Sequence, residues 1–440
     1  MDSQDRLLGC VVGGAIGDAI GLYTEFFPRS HALELYGPSP SFSLVVPPPA
    51  GETGIYHDQH RSAFLLSGWT DDTDQSLLIL LGFLASGAKE VDPFDFAKRL
   101  KFWVANGLRC LDRLPLGLGR TVGSVVRDKT FEYDPFGTSI RYWENTNRFV
   151  AANGAVMRTA IIGALLFQDV DGVNGVDRAM HASLLVGATT HPDPRQVQLL
   201  FYTCLASCTI VTALVAAMMR NELVTLSDFD AVVQRGIEYI QSPPSTLPFP
   251  FVPLTESQIE EIRAHVYAEK LEDLQLDDRQ KIGYTLKCLG AGIWALRQAM
   301  KAETKLGRDD LFEQCITEIT MQGGDADTNA TVAGSLLGTY LGLSCIPEKW
   351  KDNLRDVDWL IAKTRSLGYL LDPSGTYPVY DWKDDKDVLI DGGKGAFTKE
   401  ELKKRYDELM CDVAKRVYDA GKEKENKEKD KEGLLSIYAL

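Results

Sequence analysis

GCVVGGAIGDAIG, residues 9–21, is the stretch that decides how this chain is built. Gly9, Gly13, Gly17 and Gly21 recur every fourth residue, and the residues between them are mostly small and apolar. That spacing keeps the glycines on one face of an α-helix. Each glycine weakens a helix by roughly 1 kcal/mol relative to alanine, so a row of them needs a compensating contact. Close approach of a neighbouring helix is the plainer reading, and close approach of a ligand is the other. GSLLGTYLG, residues 334–342, repeats the pattern near the far end of the chain with Gly334, Gly338 and Gly342.

Outward from these rows, apolar residues recur at helical spacing over 6–23, 73–87, 94–109, 155–167, 174–189, 195–219, 227–241, 255–271, 281–300, 308–320, 328–343 and 399–419. Strand-like alternation is scarce, which predicts a mostly α architecture. Residues 37–66, with Pro38, Pro40 and Pro47–Pro49, read as a loop excursion, as do 127–149. Residues 350–396 are irregular, punctuated by Gly, Pro and Asp. GKEKENKEKDKE (421–432) is a charge-alternating solvated stretch, a frayed helix or tail.

With 45% hydrophobic and 25% charged residues among 440, the chain has an ordinary globular composition. Its formal net charge of -15 repels polyphosphate backbones, which argues against duplex nucleic acid as a partner. A local site can still take a small anion. The eight cysteines form no CxxC pair and most lie in apolar helical contexts, so they read as buried reduced thiols. The apolar N-terminus lacks a basic leader region and is interrupted by Asp18. The most apolar segment, 197–219, is studded with Gln198, Thr203, Ser207 and Thr212, and reads as a buried helix rather than a span. The expectation is an intracellular monomer, cytoplasmic or nuclear, with no membrane partner.

Two acidic clusters stand out. The first, WTDDTD (69–74), contains Thr70, Asp71 and Asp72 and precedes an apolar helix. The second, GGDADTNA (323–330), contains Asp325, Asp327 and Thr328 and opens another. Threonine and aspartate are favoured helix caps, and that alone accounts for either cluster singly. Yet carboxylates followed by a hydroxyl are also the hard oxygen donors that Mg²⁺ or Mn²⁺ prefers. Two carboxylates about 4 Å apart repel by roughly 4 kcal/mol at an effective dielectric of about 20, so clusters that met would need a cation. A pair of divalent ions roughly 4 Å apart would reverse that sign. Spacing in the chain does not show that they meet.

Three further signals are weaker. Glu25 follows the glycine-rich turns of GDAIGLYTE (17–25), where it projects either into a cleft or into solvent. Ala151, Ala152, Asn153 and Gly154 open AANGAVMR (151–158), and small residues before a helix offer free N–H groups that suit a phosphate, or make an ordinary cap. His191 sits in the rigid turn TTHPDP (189–194), where a turn hydrogen bond is its plainer role.

GDAIGLYTE, WTDDT, NGAVMR, the His191-Pro192 turn and GGDADTNA occur in an order that resembles the ADP-ribosylglycohydrolases over roughly residues 6–345. The resemblance implies an all-α, orthogonally packed helical domain over 1–349, interrupted by the 37–66 excursion, with 350–440 as a C-terminal extension. It implies two Mg²⁺ ions, with Mn²⁺ as substitute, held by Thr70, Asp71, Asp72, Asp325, Asp327 and Thr328. It further implies ADP-ribose or an ADP-ribosylated substrate cleaved at C1″, with Glu25, Asp71 and Asp72 carrying catalysis and Glu25 serving as acid/base or gate. Ala151–Gly154 would hold the diphosphate and distal ribose, His191 would touch the substrate, and Tyr284 would line the adenine side. Two other classes stay open: a reader that binds ADP-ribose without cleaving it, and a two-metal nucleotide phosphohydrolase. The latter class more often uses histidine ligands, and the six histidines here lie away from both clusters.

Overall fold

A computed structural model describes residues 3–146, 151–192, 203–249, 253–302 and 310–437, and these described residues form seventeen α-helices. No strand occurs among the described residues, only isolated bridges such as Pro28–Gly323 and Ala152–Tyr284. The first half runs α1 (Ser3–Gly21), α2 (Arg29–Tyr36), α3 (Asp71–Ala85), α4 (Pro93–Asn106), α5 (Arg120–Val126), α6 (Pro135–Asn145), α7 (Val156–Leu166), α8 (Gly175–Ala188) and α9 (Thr203–Met219). The second runs α10 (Leu226–Gln241), α11 (Glu256–Val266), α12 (Thr285–Lys301), α13 (Leu311–Thr320), α14 (Ala326–Leu341), α15 (Glu348–Lys351), α16 (Val357–Leu371) and α17 (Lys399–Ile437).

Every residue of α9 is buried, packed among α7, α8, α10, α12 and α14. Its all-round apolar surface is therefore that of a core helix. No helix among the described residues is long and apolar enough to cross a membrane. The expected helix start at 195–202, and residues 308–309, lie outside the described residues.

Besides the short helices α2, α5 and α15, which the periodicity reading does not include, three stretches differ from it. Within 127–149, α6 forms because Pro135 occupies its first turn and the Asp134 carboxylate accepts from Gly137 N at 2.9 Å, burying Phe136 and Trp143. Within 350–396, α16 buries Leu360 and Leu367 and packs against α1. The last helix continues past 419 through the charged stretch to Ile437.

The two glycine rows meet each other. α1 and α14 form the most extensive helix pair in the molecule, and they run antiparallel: Gly9 faces Gly338, Gly13 faces Gly334, Gly17 faces Ala330 and Gly21 faces Ala326. A Cβ on any of these four α1 glycines would overlap a carbonyl oxygen of α14. The cost of each glycine is thus offset by backbone-to-backbone packing along both helices. Because the pair is antiparallel, the end of α1 is delivered to the start of α14.

Gly13→Val tests this pairing away from the site. It forces the helices apart, so stability should fall by about 3 kcal/mol, the upper part of the usual overpacking range. A melting temperature within experimental error of the wild type would show that the close approach is not what holds these helices.

Candidate active site

Two devices on α1 bring the acidic clusters together. Its glycine face fixes the start of α14, as above. Asp18, wholly buried on the same helix, fixes the start of α3: its carboxylate accepts from Thr70 N at 2.8 Å, Thr73 N at 3.0 Å and Thr73 Oγ1 at 2.6 Å. Thr70 and Asp327, 257 positions apart, consequently lie with Oγ1 and Oδ2 3.4 Å from each other. Thr70 Oγ1 is equally 3.4 Å from Asp72 Oδ2, and Asp327 Oδ1 accepts from Thr328 N at 2.9 Å.

The Gly323-Gly324 turn positions the second cluster. Both glycines have φ near +70° (69° and 72°), and a Cβ on either would strike the Phe27 or Leu276 carbonyl. Phe26 N donates to Gly324 O at 2.6 Å and Gly324 N to Phe27 O at 2.9 Å, stapling the segment after α1 to this turn. Glu25 is carried there with it. Its carboxylate, with those of Asp325 and Asp327, offers ligand atoms within 4.8 Å of one another, a grouping that could hold a metal ion.

The remaining members are tied in by a second network. Gln75 Nε2 donates to Asp71 Oδ2 at 2.7 Å, and the buried Arg158 guanidinium donates to Gln75 Oε1 at 2.8 Å. The same guanidinium reaches Gly154 O at 2.9 Å and Thr190 Oγ1 at 2.6 Å. Asn153 Nδ2 donates to Asp325 Oδ2 at 2.9 Å, joining the 151–154 loop to the second cluster. Ala151, Ala152 and Asn153 zip onto 283–285: Thr285 N donates to Ala151 O at 3.1 Å, Ala152 bridges Tyr284, and Asn153 N donates to Gly283 O at 3.0 Å. The Tyr284 hydroxyl itself donates to Glu261 at 3.0 Å. His191 lies against Gly154, its Nδ1 2.8 Å from Thr190 Oγ1. Burial, with the Arg158 charge beside it, pushes His191 down to about 3, so the ring is neutral. Its Nε2 is buried without a hydrogen-bond partner.

Sequence reading did not assign Asp18, Gln75 or Arg158 a role. The available signals were a lone carboxylate and a lone guanidinium inside otherwise apolar helices, which burial makes costly unless they are partnered. Asp74, although in the first cluster, faces away: its oxygens accept from Trp69 Nε1 at 2.8 Å and Trp103 Nε1 at 3.0 Å, with Arg113 3.3 Å away.

The electrostatics call for a cation. Burial, then the Asp18 charge, push Asp71 and Asp72 well above the usual carboxylate range. Burial, then Glu25, do the same to Asp327 and lift Asp325 to about 6. Among the described residues no Lys, Arg or His pairs with any of these four aspartates. Asp72 Oδ1 is buried and accepts from nothing. Hard oxygen donors, uncompensated charge and an orphaned carboxylate oxygen together fit a divalent cation.

A family model described as ADP-ribosylglycohydrolase matches residues 1–374. The chain is 26% identical to the ADP-ribosylarginine hydrolase Tri1 of Serratia proteamaculans (strain 568), over 84% of this chain and 80% of that protein. It is 39% identical to the ADP-ribosyl-[dinitrogen reductase] glycohydrolase of Rhodospirillum rubrum over a shorter stretch, 12% of this chain and 21% of that one. Among solved structures it is similar to an ADP-ribosylglycohydrolase-related protein complex, with a TM-score of 0.53 and 20% identity, covering 84% of this chain and 99% of the other.

Proposed function

The chain belongs to the ADP-ribosylglycohydrolase family, and from that premise we propose that it hydrolyses an ADP-ribosyl bond at C1″ with the help of two divalent cations. The observation that carries this reading is the meeting of Thr70 and Asp327 beside the unpartnered Asp72 Oδ1. Thr70, Asp71, Asp72, Asp325, Asp327 and Thr328 would hold Mg²⁺ or Mn²⁺, which when bound would supply Lewis-acid polarisation of the substrate's ribose oxygens.

The chain's own groups do the rest. The 151–154 loop and the His191 Nε2 take the diphosphate side, His191 as a neutral donor. Glu25 accepts a proton from the attacking water as its oxygen bonds to C1″, and returns that proton to the acceptor, which leaves with the electron pair of the broken bond. The buried carboxylates around C1″ stabilise the positive charge that develops there. An ADP-ribosylated arginine is the first acceptor to try, since Tri1 carries that substrate in its name.

The test is product analysis by mass from a panel: ADP-ribosylated arginine and serine peptides, a poly-ADP-ribose chain, an O-acetyl ester and a 1″-phosphate, each with Mg²⁺ and with chelator. Free ADP-ribose from at least one compound, only with metal, is the expected result. Inorganic phosphate released from a nucleotide would point to a phosphohydrolase, and tight ADP-ribose binding with no product to a reader; either would overturn the proposal.

A further inference from the structure

Glu25 is held by a segment that neither acid-bearing helix supplies. Its carboxylate Oε2 accepts from His60 Nε2 at 2.6 Å, and its carbonyl oxygen accepts from the Arg61 guanidinium. Arg61 also donates to Tyr23 O at 2.9 Å and lies 3.6 Å above the Phe27 ring. His60 and Arg61 thus grip residues 23–27 from both sides of Glu25. The grip matters because Asp325 and Asp327 repel a third carboxylate brought among them.

His60 and Arg61 belong to the proline-bearing excursion, at a single 3₁₀ turn, Arg61–Ala63. A short turn of this kind is weak by itself. It is fastened from outside: Ser62 O and Phe64 O both accept from Arg416 Nη1, at 3.1 and 2.9 Å. Arg416 lies on α17, beyond residue 374, where the family match ends. Eleven residues earlier on the same helix, Arg405 donates to Asp112 O at 3.0 Å. That loop leads to Gly117, whose backbone lies against Asp71. Between these two points Val413 is buried. α17 therefore spans two loops that flank the acidic cluster.

We propose that α17 is a strap that positions Glu25, with Arg416 acting as a positioning residue through the Arg61–Phe64 turn and His60. The proposal rests on the role given to Glu25 above. An extension outside the family's common domain thereby sets the geometry of a group inside it.

Arg416→Ala in the full-length chain tests the strap with two readouts. The first needs no substrate: amide hydrogen exchange over 57–66 and 22–27 should quicken by about tenfold or more, while 69–76 and 325–330 stay as in the wild type. The second uses whichever panel compound the wild type cleaves. There kcat should fall by about tenfold with KM little changed, Arg416→Lys should restore most of it, and Arg416→Ala should cost nothing further in a Glu25→Gln background. Unchanged exchange at 22–27, a rise spread evenly over the whole chain, or an equal loss of kcat in the Glu25→Gln background would each overturn the strap. Should no panel compound be cleaved, the glycohydrolase reading fails, and the exchange experiment still decides this one.

Discussion

Excess chelator should abolish turnover and lower the melting temperature, and the drop should be larger at pH 7.5 than at pH 5.5. The pH dependence follows from the crowding of the carboxylates. Burial pushes Asp18 and Asp325 up to about 6, and burial raises Asp71, Asp72 and Asp327 well above the usual carboxylate range too. An unfolded aspartate titrates at about 3.9. The folded, metal-free chain therefore holds more protons than the unfolded chain from about pH 4 upward, so these groups favour the folded state in acid. That contribution is lost as pH rises through the folded-state values. A divalent cation replaces the missing protons, and it competes with them when they are present.

Binding at a thousandfold excess over Kd adds about 4 kcal/mol to the folded state, which is enough to read as a clear thermal shift. The expected pattern is a large Mg²⁺-dependent rise in melting temperature at pH 7.5 and a smaller one at pH 5.5. Full turnover in excess chelator would remove the metal from the mechanism. A shift equal at the two pH values would mean that the cation does not sit among these aspartates.

How much of this was legible beforehand depends on whether a feature carries its own cost. Glycine in a helix is costly wherever it falls, so Gly9, Gly13, Gly17 and Gly21 announced a close contact, and the contact proved to be helix on helix. Acids at the starts of two helices announced a chemistry by residue type. Their convergence was legible only through the family resemblance, not from the residues themselves, because it is produced by Asp18 reaching across to Thr70 and Thr73 and by an antiparallel pairing with no local signature. α16 carries helical spacing in Leu360, Thr364 and Leu367, but its glycine- and aspartate-rich surroundings masked it. His60 and Arg416 gave no signal at all. A histidine in a proline-rich loop and an arginine on a charged helix look like ordinary surface residues until the loop is seen to hold Glu25.

Glu25→Gln should separate proton transfer from metal binding. The substitution keeps the shape of the side chain, and its amide can still hydrogen-bond His60, but it has no titratable carboxylate. Turnover should therefore fall by roughly 10²-fold or more, the usual scale for losing a general acid or base. Affinity for ADP-ribose and the Mg²⁺-dependent melting shift should persist. Asp327→Asn is the contrast: this residue touches Thr70 across the two clusters and is buried against Glu25 and Asp72, so metal affinity and turnover should fall together. The structure sharpens the comparison, because the Glu25, Asp325 and Asp327 carboxylates offer ligand atoms within 4.8 Å of one another. If Glu25→Gln abolishes the melting shift, Glu25 is a metal ligand and the division of roles falls. If it turns over like the wild type, Glu25 is a bystander, and proton transfer must rest on Asp71 and Asp72, whose raised affinity for protons already suits a base only when a cation lowers it again.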